Sequence, residues 1–125
     1  MIKILIQADS RYPVNRKRIR QKIRQVLRNK GIKKQAELSV LIVGDRKMAS
    51  LNSKYLKRKG TTDVLSFSLL EGKKIFPKEE TLRLGDIVIS YPQARKQAGQ
   101  YNILVDKEID RLVEHGLLHL LGVHH

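Results

Sequence analysis

The chain has no cysteine, and only four tyrosines and two phenylalanines among 125 residues. Without cysteine there are no disulfides, thiolate ligands or thiol nucleophiles, so any metal must be held by His, Asp or Glu. Few aromatic rings leave little surface on which unpaired bases could stack. No apolar run approaches the roughly 18–20 residues that a membrane-spanning helix needs. The start, Met1-Ile2-Lys3-Ile4-Leu5-Ile6, lacks the charged, apolar and small-residue regions of a signal peptide, so the expected address is the cytoplasm, with no membrane partner. No internal repeat, low-complexity tract or linker interrupts the sequence, and its length suits one domain over residues 1–125. Acid is scarce too: 12 Asp and Glu face 26 Lys and Arg, a formal charge of +14.

That charge is unevenly placed. Residues 1–34 hold 12 basic side chains and one acid, whereas residues 102–125 hold two basic side chains and four acids. Thermally robust proteins that carry many ions usually balance Lys with Glu, and this chain does not, so a polyanion, with nucleic acid first, is the expected partner. With 41% hydrophobic residues the chain can still bury a real core.

Residues 2–8 are rich in β-branched side chains and read as a strand. A helix is expected over 15–30, with Asn15 as N-cap, Ile19, Ile23, Val26 and Leu27 on its apolar stripe and Gly31 as its stop. Its other face carries Arg16, Lys17, Arg18, Arg20, Lys22, Arg24, Arg28 and Lys30 without an acid, cations whose mutual repulsion an anionic ligand would relieve. Residues 37–44 alternate as a second strand, and Asp45 can cap a short helix carrying Met48, Leu51 and Tyr55. Thr62–Leu69 reads as a third strand, 71–83 as a connecting loop or hairpin, and Leu84–Ser90 as a fourth strand closed by Pro92 in the first turn of a helix. The last helix starts near Val105 or Asp106, with Asp106, Glu108 and Asp110 complementing its positive end. The order β-α-β-α-β-β-α-α implies an α+β domain.

All four histidines lie between positions 115 and 125, in the pattern H-x3-H-x2-G-x2-H. Residues four apart on a helix are turned by about 40° and separated by about 6 Å along the axis, so His115 and His119 can converge on one ion. Gly122 is placed to reverse the backbone after the helix, because a left-handed residue there favours glycine. A third imidazole, His125 or its neighbour His124, would then approach from outside the helix. Three neutral imidazoles leave Zn²⁺ its full charge and an open position, and such an ion lowers the pKa of bound water to about 7, the composition of a hydrolytic site. The spacing equals that of the metzincin proteases, H-E-x-x-H-x-x-G-x-x-H, but Gly116 stands where their general base stands. Glu114 projects about 100° away, so peptide hydrolysis is disfavoured and another metal-assisted hydrolysis favoured.

At this point the chain resembles the YbeY endoribonucleases, whose signature helix is close to H-G-x-L-H-L-x-G-Y-D-H. His115-Gly116-Leu117-Leu118-His119-Leu120-Leu121-Gly122 matches it, and His125 takes the position of its third histidine. Leu51-Asn52 and Tyr55 followed by Thr62-Asp63-Val64-Leu65-Ser66-Phe67 look like the family's second segment, and Leu84-Gly85-Asp86-Ile87-Val88-Ile89-Ser90 like its third. The family has an Arg directly after the Tyr where this chain has Leu56, leaving Lys57, Arg58 and Lys59 as the nearest candidate phosphate contacts.

The resemblance implies a mixed four-stranded β-sheet packed with helices, a zincin-like metal helix at the C-terminal end, and one Zn²⁺ per chain on His115, His119 and His125. It also implies cleavage of single-stranded ribosomal RNA during small-subunit maturation and ribosome quality control, in contact with the ribosome or its assembly proteins. On this reading the metal polarises a phosphoryl oxygen and holds water as hydroxide, or activates the RNA's own 2′-hydroxyl, while the cations at 57–59 offset transition-state charge. The rival from another class is a non-catalytic RNA- or ribosome-binding module with a structural zinc; a zinc protease ranks below both.

Overall fold

The computed structural model describes residues 2–32, 35–69 and 82–123. Its elements are β1 (Ile2–Ala8), α1 (Arg16–Asn29), β2 (Ala36–Val43), α2 (Asp45–Leu56), β3 (Val64–Ser68), β4 (Leu82–Ser90), α3 (Tyr91–Tyr101) and α4 (Val105–Leu120). This is the expected order, and the strands form one mixed sheet, β1-β2-β4-β3. Strands β1, β2 and β4 run parallel, and β3 pairs antiparallel with β4 at the edge. The predicted connection over 71–83 lies largely outside the described residues.

Alternation along the strands sends successive side chains to opposite faces. On one face Ile4, Ile6, Leu38, Val40, Ile42, Ile87 and Ile89 lie beneath the apolar stripes of α1 and α4, including Ile23, Leu27, Val113 and Leu117. On the other, Leu41, Val43, Leu65, Phe67 and Val88 meet Met48 and Leu51 of α2. Each aliphatic side chain removed from water contributes roughly 2 kcal/mol, and the larger cluster is the one that holds α4 against the sheet.

The helix ends follow local chemistry. Asn15 accepts a hydrogen bond from the Arg18 amide and caps α1, and Ser90 does the same for Gln93 at the start of α3, with Pro92 in its first turn. Asp45 differs from expectation. Gly44 is the N-cap of α2 and makes no side-chain cap bond, because the Asp45 carboxylate is taken by Ser90 Oγ at 2.8 Å, Thr61 Oγ1 at 2.9 Å and Gln93 Nε2 at 3.2 Å. Burial pushes this carboxyl up, but the three donors outweigh it and hold it below its ordinary value. The start of α2 is thereby tied to the β4–α3 junction.

Candidate metal centre and RNA groove

Helix α4 carries the histidine pair, and its position is set by what lies beneath Gly116. A Cβ there would stand 2.8 Å from Ile87 Cγ2 and 3.2 Å from Ser66 Oγ, so only glycine lets the helix approach β3 and β4 this closely. Two serines of β3 then fasten its last turns. Ser66 Oγ donates to the Gly116 carbonyl at 3.1 Å and Ser68 Oγ to the Leu120 carbonyl at 3.2 Å, the latter serving a carbonyl that the helix end leaves without an intrahelical partner. Ser66 lies within the segment that resembles the family, but the sequence alone assigns no role to either serine. The signal for this role was that Ser66 and Ser68 alternate with Leu65 and Phe67 and therefore share the face opposite α2.

On this fixed helix the His115 and His119 rings lie side by side, centroids 4.6 Å apart and planes tilted by 49°. His115 is exposed and His119 half-buried. Past the helix, Gly122 adopts φ 84°, the Gly122 amide donates to the His119 carbonyl and the Val123 amide to the Leu118 carbonyl. That pair of bonds is a Schellman motif, so the chain reverses where the spacing predicted. His124 and His125, the alternatives for the third ligand, lie outside the described residues. Among the described residues no cluster of three potential ligands forms. Two imidazoles on one helix face, followed at once by a reversal of the chain, are a donor set that suits an ion with nitrogen preference such as zinc.

Asp106 and Glu108 stand in the first turn of α4 as expected, and the acids of this helix have a further use. Glu114 pairs with Lys22 of α1 at 2.7 Å and Asp110 with Arg18 at 2.9 Å. Glu108, wholly buried, takes Arg111 through two bonds of 2.8 and 2.6 Å; these raise the guanidinium's pKa further. The acids that α1 lacks are thus supplied by α4, and two of the predicted run of repelling cations are neutralised. A groove of about 700 Å³ runs between the two helices, with Arg18, Lys22, Lys107, Arg111 and His115 on its walls beside the carboxylates Asp110 and Glu114.

Lys57, Arg58 and Lys59 are exposed in the loop after α2. Lys57 closes that helix in a left-handed conformation, φ 53°, the Arg58 amide donates to Asn52 O, and Asn52 Nδ2 donates to Gly60 O at 3.0 Å. The loop is anchored to α2, on the sheet face opposite α4. Leu56 is exposed beside Tyr55, whose ring meets Phe67 edge-on at 5.4 Å.

A family model described as Endoribonuclease YbeY matches residues 5–125. An Endoribonuclease YbeY of Pelotomaculum thermopropionicum is 43% identical over 101 residues, covering 81% of this chain and 66% of that one. Another, of Syntrophus aciditrophicus, is 40% identical over 112 residues, 90% of this chain and 68% of that one. The first three curated relatives are matched over 66%, 65% and 53% of their own lengths, so the chain spans less than two thirds of them. The solution structure of TM1509 from Thermotoga maritima superposes with a TM-score of 0.62 at 23% identity, over 98% of this chain and 74% of that one, a likeness of fold. A match that takes in the glycine-packed α4, its paired histidines and the turn at Gly122 leaves one conclusion: the chain belongs to the YbeY endoribonuclease family.

Proposed function

We propose that the protein is a metal-dependent endoribonuclease in which His115, His119 and His125 hold one zinc ion and single-stranded RNA is cut beside it. The observation that carries this reading is the His115–His119 pair, 4.6 Å between ring centroids, fixed on a helix whose neighbouring position 116 has no room for a protease base. The bound ion supplies Lewis acidity at the phosphodiester. The chain's own residues do the rest. Lys107, which lines the same groove as His115 about two turns back along α4, attracts phosphates there, and Lys57, Arg58 and Lys59, anchored on the other sheet face, add a longer-range pull on the RNA backbone. The half-buried setting of His119 limits where its ring can turn, and pairing with Lys22 offsets the charge that the Glu114 carboxylate presents on the groove wall. The substrate is small-subunit ribosomal RNA during maturation of its 3′ end and ribosome quality control, with assembly proteins positioning it and the cytoplasm as the compartment. Scarce aromatics make binding mainly electrostatic and steeply salt-dependent.

The test is cleavage of single-stranded ribosomal RNA by zinc-reconstituted protein beside His119→Ala prepared identically. Cleavage by the first alone, lost on chelation and restored by zinc, is the expected result. Equal cleavage by both would sink the proposal, and tight binding without cleavage by either would establish the zinc-stapled assembly factor instead. A 2′,3′-cyclic phosphate on the product would identify the 2′-hydroxyl as nucleophile, a 5′-phosphate product water.

A further inference from the structure

Helix α1 breaks the electrostatic rules of a helix on its outer side. Arg16, Lys17 and Arg18 occupy its first turn with no acid there, against the positive end of the dipole. By contrast α4 begins with Asp106 and Glu108. Once α4 has neutralised Arg18 and Lys22, the remaining arginines of α1 form a ladder, Arg16, Arg20, Arg24 and Arg28, at steps of four. Among the described residues none of these four makes an ion pair or side-chain hydrogen bond. Arg16, Arg24 and Arg28 are exposed and Arg20 half-buried. Each step rises about 6 Å and turns about 40°, so the ladder winds slowly along the helix, commensurate with successive phosphates of a nucleic-acid strand. Gln21, also exposed, lies next to the ladder and offers an amide donor to sugar and phosphate oxygens.

We infer that this outer face of α1 is a docking surface for the phosphate backbone of helical RNA, separate from the histidine centre. The inference rests on the RNA reading above and adds a second place on the molecule where RNA is held. Arg16, Arg20 and Arg24 lie around the helix on the side away from Arg18 and Lys22, the residues that face α4, so a strand on the ladder is not the strand at the histidines. The face has no aromatic or large aliphatic side chain, which removes base stacking, insertion into a lipid interface and an apolar anchor for a protein partner. What remains is recognition of charge and backbone spacing, the mode in which proteins bind double-stranded RNA. The repulsion left in the free helix is what such a ligand relieves.

The experiment uses the full chain and a fluorescent RNA hairpin of about 16 base pairs. One variant carries Arg16→Gln, Arg20→Gln, Arg24→Gln and Arg28→Gln; the control carries Arg46→Gln, Lys47→Gln, Arg95→Gln and Lys96→Gln and has the same net charge. The ladder variant is expected to bind at least about tenfold more weakly, to lose about three from the slope of log affinity against log salt, and to melt no lower than the parent. Equal losses in the two variants would reduce the effect to net charge and overturn the proposal. So would binding of phosphatidylserine vesicles or polyglutamate that matches the hairpin's affinity and depends on the same four arginines. With zinc loaded and a short unstructured RNA as substrate, the ladder variant is expected to keep the parent's kcat, and a fall in kcat would overturn the separation of the two surfaces. If neither protein cleaves, the nuclease reading fails while the hairpin comparison still decides the docking surface.

Discussion

At position 116 a protease of the H-E-x-x-H type carries its general base, and this chain carries a residue with no side chain. The reason is steric as much as chemical: Ile87 and Ser66 fill the space a Cβ would need. Alanine there gains about 1 kcal/mol of helix propensity over glycine and costs about 1–3 kcal/mol by overpacking. Gly116→Ala is therefore expected to lose about 1 kcal/mol, read as a lower urea midpoint at unchanged slope, and to weaken zinc binding because α4 lifts where its histidines are set. A raised midpoint would show that the helix does not need this close approach. The same contact leads to the expectation that placing a glutamate there, Gly116→Glu, unfolds the chain and does not give a protease.

The span of α1 was legible because its signals are local. Asn15, the apolar stripe and Gly31 all act within the helix, and its bounds came out at Arg16–Asn29. The partners of its cations were not legible, since Arg18 meets Asp110 across 92 positions of sequence and nothing local in either residue marks the other. For α4 the same division holds. The histidine spacing and the Gly122 reversal follow from helix geometry, but the fastening by Ser66 and Ser68 depends on which way an edge strand faces. A polar residue on a strand alternates in the same way whether it meets water or a helix carbonyl. The α1–α4 interface yields its own test. Because Glu114 is committed to Lys22, Glu114→Gln is expected to keep cleavage within about tenfold and to cost about 0–1 kcal/mol of stability, as partly exposed ion pairs do. Loss of a general base would instead lower kcat by about 10²–10⁴, and a fall of that size would make Glu114 the base.

Across the whole molecule, the core and the histidines are separate systems. The main cluster joins α1 and α4 to three strands without a histidine, His115 is exposed and His119 only half-buried. A zinc that merely stapled the end of the chain would be needed where burial is insufficient, as in small metal-dependent domains; here burial of the aliphatic residues is already continuous beneath α4. The metal-free chain is thus expected to keep its far-UV circular dichroism and a cooperative melt after chelation. Zinc at about 100 times its dissociation constant should then add about 2.7 kcal/mol, a rise in melting temperature of roughly 10 °C for a chain of this size. His119→Ala should match the parent's metal-free melt and show no such rise. Loss of the cooperative melt on chelation would reverse the assignment, because an ion the fold cannot do without is a structural one.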